Sequence, residues 1–188
     1  KIRLMYMEEY FGDNYAGCDD MVFNLDDEFI QSPYVRPSGR DYDEKDRQTI
    51  DYIEKVLKKY PDILAENTRS FIPAHIRRSG HNSVRDLVFR IAPKAVVVVL
   101  NGEEKTLKWQ DENGYIKTRN LGSSNDEVCD TITNLIIEHG LKTRPLVITG
   151  FICVGMGQTL TNETMGNFTS AIFSHLDLTN DDISQLFG

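Results

Sequence analysis

Ala95-Val96-Val97-Val98-Val99-Leu100, bounded by Pro93 on one side and Asn101-Gly102 on the other, is the stretch around which the rest of the sequence arranges itself. Four successive β-branched residues are stiff at χ1 and prefer extended backbone. The run has no polar alternation, so both of its faces are covered, as in the interior of a parallel sheet. Pro145-Leu146-Val147-Ile148-Thr149 has the same character. Ser70-Phe71-Ile72-Pro73-Ala74-His75-Ile76 reads as a short buried strand running into a loop, and Phe168–Phe173 supplies a fourth strand.

Between these runs the apolar spacing becomes helical. Ile50, Ile53, Val56, Leu57 and Tyr60 recur on one face of residues 43–59. Asp43, Glu44 and Asp46 stand at the start of that segment and Lys58-Lys59 at its end, which matches the helix dipole, and Pro61 follows the stop. A second helix is expected over 83–91, with Val84, Leu87, Val88 and Ile91 inward. A third is expected over 124–139, with Val128, Ile132, Leu135 and Ile136 inward and Gly140 at its C-cap. Lys105–Trp109 and Tyr115–Arg119 across Glu112-Asn113-Gly114 predict a β-hairpin. Thr179, with Asp182 three residues on, predicts a last short helix, and capping accounts for Asp181 and Asp182. Strands alternating with helices predict an α/β fold: a mostly parallel sheet flanked by helices, joined by right-handed crossovers.

The 188 residues suffice for one domain with an appendage. The formal net charge is −8, which excludes a protein that holds nucleic acid by bulk charge but leaves room for a local basic strip. Cys18, Cys129 and Cys153 have no CxxC spacing, so neither a disulfide framework nor a structural zinc site is expected. His75, His81, His139 and His175 share no metal spacing. No apolar run approaches the roughly 20 residues of a membrane helix, and the start lacks a signal-peptide pattern. The expectation is a reducing intracellular compartment, cytoplasmic or nuclear, with no membrane partner. Residues 1–42 mix aromatic and acidic residues with Ser32-Pro33 and Pro37-Ser38-Gly39. They read as an irregular connection.

In α/β sheets, ligands bind at the carboxyl ends of the strands. Two loops there carry most of the chemistry. The first holds His75, Arg77, Arg78, Ser79, His81, Asn82 and Arg85, the densest cationic patch of an acidic chain. It suits phosphate oxygens beside a helix N-terminus, or it is a solvated turn. The second runs from Thr149-Gly150 to Gly155-Met156-Gly157-Gln158-Thr159-Leu160-Thr161. Its glycines allow close backbone approach and its hydroxyls suit phosphate; the other reading is an ordinary glycine-containing connection. Neither a Walker A motif nor a dinucleotide fingerprint is present, and no nucleophile elbow appears.

Taken in order, these loops resemble the second, C-terminal RecA-like domain of a superfamily 2 helicase or translocase. Phe71-Ile72-Pro73-Ala74-His75 followed by Arg77-Arg78-Ser79-Gly80-His81 resembles motif IV. Val99-Leu100-Asn101-Gly102 is similar to the strand that follows it, and Val147–Leu160 is similar to motif V. Phe173–Thr179 leading to Gln185-Leu186-Phe187-Gly188 resembles the opening of motif VI.

The resemblance covers residues 68–188 and implies that the domain is cut within motif VI. Residues 1–42 would then be an interdomain connection, and 43–67 a lead-in helix and linker. It implies contacts of His75, Arg77, Arg78, Ser79, His81, Asn101, Gly102, Thr149 and Gly150 with nucleic acid, DNA or RNA. It also implies contacts of Gly155, Gly157, Gln158, Thr159, Gln185 and Gly188 with a nucleotide. ATP and Mg2+ would be bound only together with an N-terminal RecA-like lobe of the same protein.

The sequence departs from the family in three respects. Gly157-Gln158-Thr159 stands where motif V usually has an acid, and the hairpin at 105–119 is an insertion. The Walker A lysine, the Walker B acid and the motif VI arginines are missing from the chain, so it should not hydrolyse ATP by itself. The rival expectation is a non-catalytic α/β interaction or scaffold module that keeps the helicase-lobe fold. A small-molecule enzyme using the glycine loop is a third, weakened by the lack of a proton-transfer or nucleophile constellation.

Overall fold

The structure, a computed structural model, describes residues 42–74, 78–122, 128–150, 160, 162 and 164–173. Helix α1 spans Tyr42–Lys59, with Asp43 and Glu44 in its first turn and Lys58 and Lys59 in its last. After a single 3-10 turn at Pro61–Leu64 come strand β1 (Arg69–Phe71), helix α2 (Arg78–Ile91) and strand β2 (Val96–Leu100). Strands β3 (Lys105–Gln110) and β4 (Ile116–Asn120) form the expected hairpin. Helix α3 (Val128–Glu138), strand β5 (Leu146–Gly150) and strand β6 (Ser170–Ala171) complete the described elements. The expected helix beginning at Thr179 lies outside the described residues.

The six strands form one sheet in the order β4-β3-β2-β5-β1-β6. β2, β5, β1 and β6 run parallel, and the hairpin extends the sheet through an antiparallel pairing of β3 with β2. All five residues of β2 and of β5 are buried, as the unbroken apolar runs require.

Alternation along β2 assigns the helices to faces. Val97 and Val99 pack with Val147, Ile72 and Ile172, with Ile53 and Leu57 of α1, and with Val84, Leu87 and Val88 of α2. Trp109 pairs with Val96 and so lies on the other face. There it meets His139, just past the end of α3, with ring centroids 4.7 Å apart. Helices α1 and α2 therefore cover one face and α3 the other.

Helix α3 ends as Gly140 predicts. Gly140 has φ +64°. Its N–H donates to the Ile137 carbonyl, and that of Leu141 reaches back to the Ile136 carbonyl. This is a Schellman closure, with buried Leu141 supplying the accompanying apolar contact. In the hairpin turn, the Asp111 carboxylate accepts from the backbone N–H of Asn113 and of Tyr115, and Gly114 takes φ +80°.

Two elements differ from expectation. Helix α2 starts at Arg78, five residues before the expected start at 83. Gly80 and His81 are buried and continue its inner face, while the Ser79 hydroxyl donates to Asp46 of α1 at 2.9 Å. Tertiary packing thus overrides the poor helix propensity of Ser, Gly and Asn. The fourth strand keeps only two residues with strand geometry. Phe168 and Phe173 instead pack against Phe71, each with ring centroids 6.1 Å apart.

Arg69 is a buried cation that the sequence did not single out. Its guanidinium donates to the carbonyls of Thr68 and Lys142, which holds the turn leading into β5 against the start of β1. Burial pushes its pKa below the usual arginine value.

Candidate functional site

The connections between parallel strands define where a ligand can enter. From β1 the chain crosses over β5 to β2 through α2 on one face. From β2 it returns to β5 by way of the hairpin and α3 on the opposite face. A reversal of direction together with a change of face keeps both crossovers of the same hand. Asn162, on the way from β5 to β6, donates to Asp130 and Thr133 of α3, so that connection also passes the α3 face. β1 and β5 are adjacent, and the chain leaves their carboxyl ends toward opposite faces. This is the topological switch point at which open α/β sheets bind ligands.

The two loops singled out in the sequence leave from these two strand ends. His75, Arg77, Gly155, Gly157, Gln158, Thr159, Gln185 and Gly188 lie outside the described residues, as does the side chain of Arg78. Those that are described fall into two groups. Thr149 and Gly150 close β5 and are buried. Thr149 aligns with Val99 of β2 and shares the face of Val147, so its side chain lies on the α2 side of the sheet. Its hydroxyl oxygen is buried and has no hydrogen-bond partner among the described residues. An orphaned buried hydroxyl costs roughly 1–3 kcal/mol, so a chain retains one more readily where a ligand completes it. His81 is buried in the first turns of α2, on the inner face of the helix and at the same end of the sheet.

The second group is committed elsewhere. Ser79 donates to Asp46. Arg85 donates to Asn82 at 2.7 Å and pairs with Asp86 at 2.8 Å, so this one cation of the strip is neutralised locally. The Asn101 side-chain oxygen accepts from the backbone N–H of Glu103 and Glu104 and shapes the β2–β3 turn, leaving Gly102 exposed at its tip. Thr149 is among the residues the sequence points to, and the packed structure adds that its hydroxyl is buried without a partner among the described residues. Its position at a strand end was visible; its lack of a partner was not.

Glu104 beside this turn gives a pH-dependent signature. Burial raises its pKa, but the ion pair with Lys108, the Thr106 hydroxyl and the field of Arg85 outweigh burial and hold the carboxyl below its usual value. A lowered folded-state pKa stabilises above the unfolded value and loses that contribution as pH falls through the folded one. Glu104→Gln should therefore cost about 1 kcal/mol at neutral pH, and the difference from wild type should shrink as pH falls below the unfolded carboxylate value and vanish below the lowered folded one. Urea unfolding across this pH range measures it.

Among the described residues no group of three or more His, Cys, Asp and Glu is placed to hold a metal ion. No described helix is long and apolar enough to cross a membrane. No protein-family model, curated protein or solved structure matches the chain.

Proposed function

We propose that this chain acts as the second RecA-like lobe of a nucleic-acid-dependent ATPase, a helicase or translocase. It binds the nucleic-acid backbone and completes an ATP site against a first lobe of the same protein. The observation that carries the reading is the orphaned Thr149 hydroxyl at the carboxyl end of β5, beside the switch point between β1 and β5. A buried hydroxyl, an adjacent buried glycine and the start of α2 together suit a phosphate oxygen. The 105–119 hairpin is, on this reading, an addition to the minimal lobe.

Thr149 and Gly150 meet the nucleic-acid backbone, with Arg77 and Arg78 supplying its counter-charge. On this reading the nucleotide contacts fall to Gly155, Gly157, Gln158, Thr159, Gln185 and Gly188, which lie outside the described residues. Mg2+ is held, on the same reading, with the nucleotide phosphates by residues of the first lobe. ATP, when bound between the lobes, supplies the free energy that drives their closure. This chain contributes surface, positioning and a grip on one strand, and its own residues transfer no phosphoryl group.

The test is binding of a fluorescent single-stranded oligonucleotide by the two-lobed protein. Arg77→Ala with Arg78→Ala should weaken binding about tenfold and flatten the salt dependence of log K by about 1.5, as expected for two lost phosphate contacts. Unchanged affinity and slope would remove these arginines from the interface. The ties of Ser79 to Asp46 and of Arg85 to Asp86 favour a second reading, a non-catalytic module of the same fold. That reading predicts no ATP hydrolysis even with both lobes present.

A further inference from the structure

The hairpin ends the sheet in an open edge. All five residues of β4 are exposed, as is Tyr115 just before it, with 68% of its surface accessible. The Asp111 N–H donates to the Tyr115 carbonyl and the Leu121 N–H to the Lys105 carbonyl. Continuing that register, Lys117 and Arg119 exchange backbone bonds with Trp109 and Leu107. The N–H and C=O groups of Ile116, Thr118 and Asn120 consequently point away from the sheet. These three residues present the backbone pattern to which another strand can pair.

The side chains beside that edge are sorted by charge. Tyr115, Lys117 and Arg119 alternate onto the Trp109 face. The Arg119 guanidinium lies 5.8 Å from the centre of the Trp109 ring and makes no ion pair among the described residues, while Lys117 pairs with Asp111 at 3.1 Å. Ile116, half exposed, lies on the other face with Thr118. Strand β4 itself carries two cations, Lys117 and Arg119, and no acid, in a chain of net charge −8.

We propose that β4 is the docking edge for an extended acidic segment of a partner protein, which joins the sheet as a further strand. Carboxylates on alternate residues of the segment face Lys117 and Arg119, and β-branched apolar residues between them cover Ile116. Its backbone satisfies the outward groups of Ile116, Thr118 and Asn120. A second copy of this chain is disfavoured, because edge-to-edge pairing of two β4 strands sets Lys117 and Arg119 against their own copies. A nucleic-acid strand would use the cations and Tyr115 without needing the backbone edge, which makes the two occupants separable.

The probe is an acetylated, amidated heptapeptide alternating glutamate and valine, titrated into the protein and followed by amide NMR shifts and fluorescence anisotropy. Saturable binding with the largest shifts at Ile116, Thr118 and Asn120 is expected. Thr118→Pro removes an outward N–H without touching the bonds to β3, and should weaken binding at least tenfold while the far-UV spectrum stays unchanged. Lys117→Glu with Arg119→Glu should weaken it similarly and shift preference to a lysine–valine peptide, a readout that stands even where the proline variant folds poorly. Absence of peptide binding to wild type overturns the proposal. So does wild-type affinity in Thr118→Pro, or displacement of the peptide by a single-stranded oligonucleotide that binds Thr118→Pro undiminished.

Discussion

Thr149→Val is expected to make the chain more stable and the two-lobed protein less active. In the folded chain the Thr149 hydroxyl is fully buried and has no hydrogen-bond partner among the described residues, so it contributes a desolvation cost with no compensating bond. Valine keeps the branched shape against Val99 and Val147 and removes that cost, which should raise unfolding stability by about 1 kcal/mol in urea. If the hydroxyl meets a backbone phosphate when nucleic acid is bound, its loss removes a hydrogen bond to a charged group, about 2 kcal/mol. Nucleic-acid-stimulated ATP hydrolysis should then fall about thirtyfold, with the basal rate unchanged. Greater stability with full stimulation would make the hydroxyl a packing imperfection. Lower stability would mean that it has a partner in the folded chain.

Leu87→Ala is expected to cost about 3 kcal/mol, the range for deleting a buried leucine side chain where the surroundings relax only partly. Leu87 lies on the inner face of α2, 2% exposed, in the cluster that joins Ile53 and Leu57 of α1 to Val97 and Val99 of β2. Helix α1 is also tied to α2 by the Arg90–Glu54 ion pair at 2.9 Å. That pair is largely solvent-exposed and adds little, so the apolar cluster carries the packing. Ile137→Ala on the exposed side of α3 serves as the control and should stay within about 0.5 kcal/mol of wild type. Equal losses at the two positions in urea unfolding would contradict the assignment of α2 to the sheet face.

The parts of the fold legible in the sequence were those whose cause is local. Four valines between Pro93 and Asn101-Gly102 specify a strand covered on both faces, and β2 is one. Acid-to-base polarity marks α1, Asn113-Gly114 marks the hairpin turn, and Gly140 marks the end of α3. What escaped depends on contacts distant in sequence. Ser79, Gly80 and Asn82 have turn chemistry, yet Asp46, some thirty residues earlier, holds Ser79 at the start of a helix. The aromatic run near 168–173 has strand composition, yet its rings spend themselves on Phe71 and only two residues form the strand.

The candidate site was legible as positions more than as chemistry. Loops after the first and third parallel strands were identifiable from strand order, and the sheet order makes those strands neighbours. Nothing in the residue type of Asn101 tells a backbone-capping asparagine from a ligand-binding one. Local spacing likewise cannot show that Arg85 is already committed to Asn82 and Asp86. Whether a polar group is satisfied is a property of the packed structure.

The lobe assignment is tested most directly by ATP hydrolysis in the two-lobed protein, with and without single-stranded DNA or RNA, beside the 188-residue chain alone. Hydrolysis should be stimulated at least tenfold by one of the two nucleic acids in the two-lobed protein, and the isolated chain should show none. A two-lobed protein that hydrolyses no ATP under either condition would contradict the assignment.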